Sequence, residues 1–299
     1  MSEPVTIKRG TEIELEIESL AYGGMGLARI DNFVIFVKYA IPGQKVLARI
    51  YKKRKGYAEA QVLETLVESP KAVDVCCKHY WICSKIQSLS YDEQIKEKSS
   101  QVEDAFVRLG GFLNFKLDKV QKANLIYHYR NKMEFTFSPN RWVLESEPEG
   151  VDKSFALGLH IPGRFDKILD IHNCHIQPEI GNKILAVARE VCLANPELRP
   201  YDPRSHIGFL RFLMLRFGVN TGDLMVNVVT SYHDIEKLST LTDILLEKFP
   251  EITSLVNNIN TRKADIAFGE YETLLYGKPF IQEKIGDLTF EISANSFFQ

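Results

Sequence analysis

Glu12-Ile13-Glu14-Leu15-Glu16-Ile17-Glu18 alternates acidic and apolar residues without a break. Side chains along a strand point to opposite faces in turn, so this period of two predicts a half-buried strand with Ile13, Leu15 and Ile17 inward. Tyr22-Gly23-Gly24-Met25-Gly26 follows as a turn or bulge, and Phe33-Val34-Ile35-Phe36-Val37 is a short β-branched run that reads as another strand. After the turn at Ile41-Pro42-Gly43, two further strands are expected, one over residues 46–51 and one over residues 58–63. Short strands separated by Gly and Pro turns, ending at the boundary marked by Ser69-Pro70, point to a small closed barrel of the OB type.

Charge is uneven in this stretch. Between Lys38 and Ala58 the chain has seven cations (Lys38, Lys45, Arg49, Lys52, Lys53, Arg54 and Lys55), no acid, and Tyr39, Tyr51 and Tyr57 interleaved. Cations along a groove neutralise phosphates and release counterions, while aromatic rings stack on bases, so the pattern suits single-stranded RNA. The competing reading is a solvated hairpin tip at Lys52-Lys53-Arg54-Lys55 with no partner.

The whole chain of 299 residues is ordinary in composition, 45% hydrophobic and 25% charged, with a net charge of −2. That excludes a mostly disordered chain, a collagen, a coiled coil and a uniformly basic coat protein, and the length suits two domains or three small ones. No stretch has the ~18–20 apolar residues of a membrane helix. The first ten residues are polar, with no apolar segment of a secretory signal. Five cysteines are too few, and odd in number, for a disulfide scaffold, so a cytoplasmic protein away from any membrane is expected.

Three of those cysteines fall in Cys76-Cys77-Lys78-His79-Tyr80-Trp81-Ile82-Cys83, and Cys174 lies in Asn173-Cys174-His175-Ile176-Gln177. Closely spaced thiolates with a distant fourth can hold an iron–sulfur cluster. Zinc with His79 or His175 is a second reading, and reduced, partly buried cysteines are a third. Residues 91–109 have helical periodicity through Val102, Ala105, Phe106 and Leu109, stopped by Gly110-Gly111.

Beyond this helix, strands are expected over residues 127–137, 155–160, 167–171, 209–217, 224–230, 252–260 and 288–292, with helices over 178–193 and 234–249. Such a mixture with hairpin-length links predicts an α+β domain on a mixed, largely antiparallel sheet. Arg130, Lys132 and Glu134 share a strand face, Arg164 lies in the charged turn Pro162-Gly163-Arg164-Phe165-Asp166-Lys167, and Arg211 and Arg216 flank an apolar run. Arginine suits bidentate phosphate or base-edge contacts. An exposed face laced with ion pairs is the alternative.

With these residues in view, the chain resembles the uracil-5 RNA methyltransferases, from about Ile13 to Gln299. The resemblance rests on Leu20-Ala21-Tyr22-Gly23-Gly24-Met25-Gly26-Leu27-Ala28-Arg29 with Ile41-Pro42-Gly43-Gln44, which looks like the family's OB-like TRAM module. It also rests on Tyr129 to Phe135, Leu157 to Lys167, Cys174 to Gln177, Gly208 to Val226, Leu275-Tyr276-Gly277 and Ile292 to Gln299. It implies four units: a TRAM-like barrel over 1–69, a cysteine segment and linking helix over 70–111, a central α+β RNA-positioning domain over 112–292, and the start of a methyltransferase domain over 293–299. It implies RNA, ribosomal rather than transfer, as partner, and S-adenosylmethionine as cofactor with Gln299 at its site. RNA contacts are expected from Lys45, Arg49, Lys52, Lys53, Arg54, Lys55, Arg130, Lys132 and Arg164.

Two departures shape the expectation. Family members with a [4Fe-4S] cluster carry Gly-Gly-Cys after the second cysteine, whereas here Cys83 is followed by Ser84-Lys85-Ile86-Gln87. Cys77, Cys83 and Cys174 then match three ligands of a degenerate site, with Cys76 as the substitute for the fourth. The second departure is that the sequence stops at Gln299. The expected fold is therefore an OB-like barrel followed by the α+β domain with the Rossmann-like catalytic domain absent, and no residue is assigned to methyl transfer. On that expectation the chain is inactive alone, and the catalytic domain lies on a longer chain or on a separate polypeptide. A stand-alone RNA-binding protein and a metal-bearing scaffold are the other readings.

Overall fold

A computed structural model describes residues 7–264 and 266–297. The chain divides into two units, Met1–Asn124 and Leu125–Gln299.

In the first unit, six strands form one sheet: β1 (Glu12–Glu16), β2 (Ser19–Ala21), β3 (Met25–Ile30), β4 (Phe33–Lys38), β5 (Lys45–Lys53) and β6 (Tyr57–Val67), in the order β1-β5-β6-β4-β3-β2. The chain running from β1 into β2 pairs with β5 at one end and with β3 at the other, which closes the sheet on itself. Ile13, Leu15 and Ile17 point inward, as their alternation dictates, and pack with Ile35, Val37, Val46, Ala48, Ile50, Ala58 and Ala60. Gly26 is required here, because a Cβ would stand 2.9 Å from Ile17 Cγ2 and 3.0 Å from the Ala40 carbonyl. Beyond the barrel lie a short helix α1 (Tyr80–Cys83) and helix α2 (Tyr91–Asp104). The helical periodicity expected to run to Leu109 gives way to a π-turn over Ala105–Leu109.

The second unit is an eight-stranded mixed sheet in the order β14-β13-β12-β11-β7-β9-β10-β8, with a separate two-stranded ribbon β15-β16. Its elements are β7 (Lys132–Ser138), β8 (Arg141–Trp142), β9 (Ala156–His160), β10 (Ile168–Asp170), α3 (Glu179–Ala194), β11 (Leu210–Phe217), β12 (Leu224–Thr230), α4 (Ile235–Lys248), β13 (Ser254–Ile259), β14 (Tyr271–Gly277), β15 (Phe280–Ile285) and β16 (Leu288–Ser293). The pairs β12/β13 and β8/β10 are parallel. Helix α4 forms the crossover within the first of these pairs and starts on Asp234, whose carboxylate accepts the Lys237 N–H at 3.1 Å. Strands β14 and β15 are not marked in the sequence: β14 is an edge with Tyr271, Leu274 and Tyr276 exposed, so no buried alternation distinguishes it. The ribbon packs Ile281 and Ile292 on Met225 and Val256 of the sheet.

Glu283 of β15 ties this ribbon to the β11–β12 turn. Its carboxylate accepts the backbone N–H groups of Val219 at 2.6 Å, Asn220 at 3.0 Å and Lys284 at 2.7 Å. Burial alone would raise its pKa, but these donors outweigh burial and hold the carboxyl below the usual carboxylate range. A depressed folded-state pKa gives stability that is full above the unfolded value near ~4.3 and is lost as pH falls through the folded value. Glu283→Gln is expected to flatten the acid limb of stability as pH falls below about 4.3. Urea midpoints of the two proteins measured across that range check this, and parallel curves would remove Glu283 from the acid response.

Candidate nucleic-acid interface

The long β5–β6 hairpin carries the basic run, but pairing changes what it presents. Strand β1 lies against β5 with Glu12 opposite Arg49 and Glu16 opposite Lys45. Arg49 Nη2 donates to Glu12 Oε1 at 2.6 Å, and Lys45 Nζ lies 2.7 Å from Glu14 Oε2. Lys52 pairs with Glu59 across the hairpin, and the Tyr51 hydroxyl donates to the same carboxylate at 2.9 Å. Hydrogen bonds from Lys52 and Tyr51 hold Glu59 below the usual carboxylate range. Burial and then the Glu59 bond push the Tyr51 phenol up. A stretch without acids in sequence therefore has three of its cations matched by acids in space, and for Lys45 and Arg49 the signal that would have shown it is the acid-apolar alternation of β1 itself.

The remaining cations are arranged around rings. Lys38 Nζ lies 4.7 Å from the Tyr51 ring centroid, and Lys53 Nζ lies 5.8 Å from that of Phe33. Lys53, Arg54 and Lys55 are exposed at the hairpin tip, and no carboxylate lies within salt-bridge reach of them among the described residues. Exposed ion pairs are worth only ~0–1 kcal/mol, so Lys45, Arg49 and Lys52 can exchange a carboxylate for a phosphate at small cost. Tyr22, at the tip of the β2–β3 turn beside two glycines with positive φ, is 93% exposed. The sequence shows it only as part of a turn; an aromatic inside a Gly-rich turn is the signal that marks it as a surface ring.

In the second unit the structure brings two of the family-like blocks together. The Arg130 N–H donates to the Ile176 carbonyl at 2.8 Å, and His128 Nδ1 lies 2.8 Å from the Gln177 carbonyl. Arg130 precedes β7 rather than lying in it, and Lys132 stands directly opposite Arg216 on β11. Burial, and then the Arg216 guanidinium, pull the Lys132 ammonium below its ordinary value. Arg164 is exposed on the turn between β9 and β10. Arg211 and Arg216 are not a solvated face at all, since both are 1% exposed. Arg211 donates to the carbonyls of Asn260, Arg262 and Ala264 at 2.8, 2.6 and 2.6 Å and lies over the Tyr201 ring. Arg216 Nη2 donates to the Ala294 carbonyl at 2.6 Å, Asn258 donates to Asn295 Oδ1 at 3.0 Å, and Asn295 donates to Glu272 at 2.7 Å. These residues fix the turn after β16, a role that no local pattern announces.

The cysteines do not fit a cluster. Cys77 is buried, while Cys76 and Cys83 are exposed. Cys76 Sγ is 3.8 Å from Gln87 Oε1. Cys174 is buried, which pushes its thiol up, and its backbone N–H donates to Asn182 at 2.9 Å. Burial pushes Cys192 up to about 12. No group of three or more His, Cys, Asp or Glu among the described residues is placed to hold a metal. The third family ligand is also missing from the sequence after Cys83, so no chemistry is derived through iron or zinc. Gln299 lies outside the described residues.

The closed barrel with its exposed cationic tip has a counterpart among known domains. Residues 7–63 match the TRAM domain. The chain is also homologous to proteins named RNA methyltransferases. A relative from Porphyromonas gingivalis is 39% identical over 295 residues, 95% of this chain and 63% of the relative. Another from Chlorobaculum tepidum is 40% identical over 265 residues, 86% of this chain and 55% of the relative. In fold, the chain matches the solved Pyrococcus abyssi tRNA (uracil-54, C5)-methyltransferase in complex with S-adenosyl-L-homocysteine with a TM-score of 0.68. That match has 23% identity and spans 96% of this chain and 61% of that one. The chain thus spans some three fifths of the length of the relatives it matches.

These matches correct two expectations. The absence of a Rossmann-like catalytic domain does not stand as a feature of the fold, because the chain follows a solved methyltransferase over 96% of its own length. Nor does an inactive, truncated protein stand, because homologues named RNA methyltransferases align with 95% and 86% of the chain, and the end of the sequence at Gln299 is no evidence of a lost activity. A separate catalytic polypeptide finds no support in these matches. No helix among the described residues is long and apolar enough to cross a membrane.

Proposed function

We propose that this chain binds and positions RNA as part of an S-adenosylmethionine-dependent RNA (uracil-5-)-methyltransferase. The observation that carries the reading is the TRAM barrel whose β5–β6 tip holds Lys53, Arg54 and Lys55 in solvent, with Lys45, Arg49 and Lys52 behind them on the same strand. Homology to RNA methyltransferases supplies the transferred group, and the solved neighbour, a tRNA uracil-54 enzyme, supplies the uracil carbon 5. Carbon 5 of uracil is a poor nucleophile and becomes reactive once a thiolate adds to carbon 6. The target base must be drawn from its stack to reach such a nucleophile. Holding the flanking phosphates while one base is turned out is the task the cationic hairpin suits.

Replacing Lys52, Lys53, Arg54 and Lys55 together with Gln tests this reading. Each phosphate of a single strand that the protein no longer neutralises lowers the slope of log affinity against log salt by about 0.7, so the slope is expected to fall by ~2 or more. Binding of uridine-rich fragments of ribosomal and transfer RNA, titrated from low to high salt, reads this and decides which RNA is preferred. Formation of 5-methyluridine by the natural enzyme, with methyl-labelled cofactor, reads the reaction. An unchanged slope would move the RNA surface off this hairpin.

A further inference from the structure

Between β9 and β10, Phe165 is 66% exposed although both sides of its turn are anchored in the core, with Ile161 at 7% and Asp166 at 5%. The turn is rigid at its base: the Ile161 N–H donates to the Lys167 carbonyl at 3.0 Å and the Arg164 N–H to the Ile161 carbonyl at 2.9 Å. A single exposed ring on a surface is ordinary. This one, however, lines a shallow depression of about 10 Å³, room for a single water and partly open to solvent, beside Thr136, Ser138, His160, Tyr201 and Arg211.

Cations surround that ring. Arg164 precedes Phe165 and is exposed, and Lys167 follows two residues on, after Asp166. Arg204 reaches it from the facing loop, its Nη2 2.5 Å from Asp166 Oδ2, while 64% of its side chain remains open to water. That loop is itself locked, because Asp202 accepts the Arg204 N–H at 3.0 Å and the Ser205 hydroxyl at 2.9 Å. Beneath it the Tyr201 hydroxyl lies 2.9 Å from His206 Nδ1, and the Arg211 guanidinium covers the Tyr201 ring at 4.4 Å. A preformed flat ring with two exposed guanidinium groups beside it combines a face on which a base stacks with cations for the phosphates on either side.

We propose that Phe165 is a stacking platform for one unpaired base of the RNA, with Arg164 and Arg204 on the adjoining phosphates. The proposal rests on the RNA-binding reading and adds to it a second point of contact, remote in sequence from the TRAM hairpin. Stacking on an aromatic side chain is worth ~1–3 kcal/mol, so Phe165→Ala is expected to weaken binding about 5- to 100-fold.

The test uses a uridine-rich single-stranded oligonucleotide and the same sequence as a duplex. Phe165→Trp places a reporter on the ring position, and its emission, taken as the difference from the wild-type protein with Trp81 and Trp142, should be quenched by the single strand. The duplex, whose bases are already stacked, should leave the emission unchanged. Phe165→Leu keeps apolar bulk without a ring face and should behave like Phe165→Ala. Arg164→Gln, at a residue with no ion partner among the described residues, should lower the salt slope by about 0.7. If the wild-type protein binds the oligonucleotide and Phe165→Ala binds it equally, the platform is wrong while the RNA reading survives. If the wild-type protein fails to bind at low salt, both fall.

Discussion

Arg189→Ala is expected to destabilise the second unit by about 3–5 kcal/mol, the usual cost of removing one partner of a buried ion pair. Arg189, on α3, is 7% exposed and joins the helix to two strands. Its Nη2 donates to Asp170 Oδ1 at 3.0 Å, to the Leu157 carbonyl at 3.1 Å and to the Ile171 carbonyl at 2.5 Å. Asp170 Oδ1 in turn accepts the Leu157 N–H at 2.9 Å. Truncation removes the guanidinium beside a carboxylate that is 7% exposed, leaving it the Leu157 N–H and His172 Nε2, and the desolvation already spent on the charge is not recovered. Arg189→Lys keeps a charge beside Asp170 without the planar fork, so its destabilisation should be intermediate. Urea unfolding followed by far-UV circular dichroism measures both, and a cost under about 1 kcal/mol for the alanine variant would show that water replaces the guanidinium.

How much of this was legible in the sequence depends on the range over which the cause acts. Strand β1 could be read from seven residues, because its alternation is a property of the strand alone. Helix α4 could be read from its periodicity and from Asp234, a local cap. The basic hairpin was legible as a run of cations but not as a partly neutralised surface, since Glu12 and Glu14 reach Arg49 and Lys45 only through strand pairing. Arg189, Arg211 and Arg216 were illegible as structural anchors for the same reason. Arg211, for instance, satisfies carbonyls about fifty residues downstream, and a buried arginine has no periodicity to betray it. Phe165 reads in sequence as one member of a charged turn, yet its value as an exposed ring depends on the loop after Tyr201, which only the fold places opposite it. Strand β14 escaped because an exposed edge strand lacks the buried alternation on which strands are recognised.

Gly158→Ala is expected to cost about 3 kcal/mol or more, for a change of one methyl group, and to disable the Phe165 turn at the same time. Gly158 sits inside β9, opposite Thr136 of β7 and Asp170 of β10. A Cβ there would lie 1.9 Å from the Leu169 carbonyl oxygen and 2.9 Å from the Ile171 nitrogen. Both are backbone atoms of the neighbouring strand, so no flexible side chain can yield and β10 itself must move away. Movement of β10 carries Asp170 off Arg189 and loosens residues 161–167, which span β9 and β10 and hold Phe165. The two substitutions therefore act on one lock. In a double-mutant cycle, Gly158→Ala combined with Arg189→Ala should cost less than the sum of the two by more than the ~0.5 kcal/mol expected of independent sites. Strict additivity would mean that the strand contact and the arginine hold the turn separately, and the position of Phe165 would then depend on the β9–β10 pairing alone.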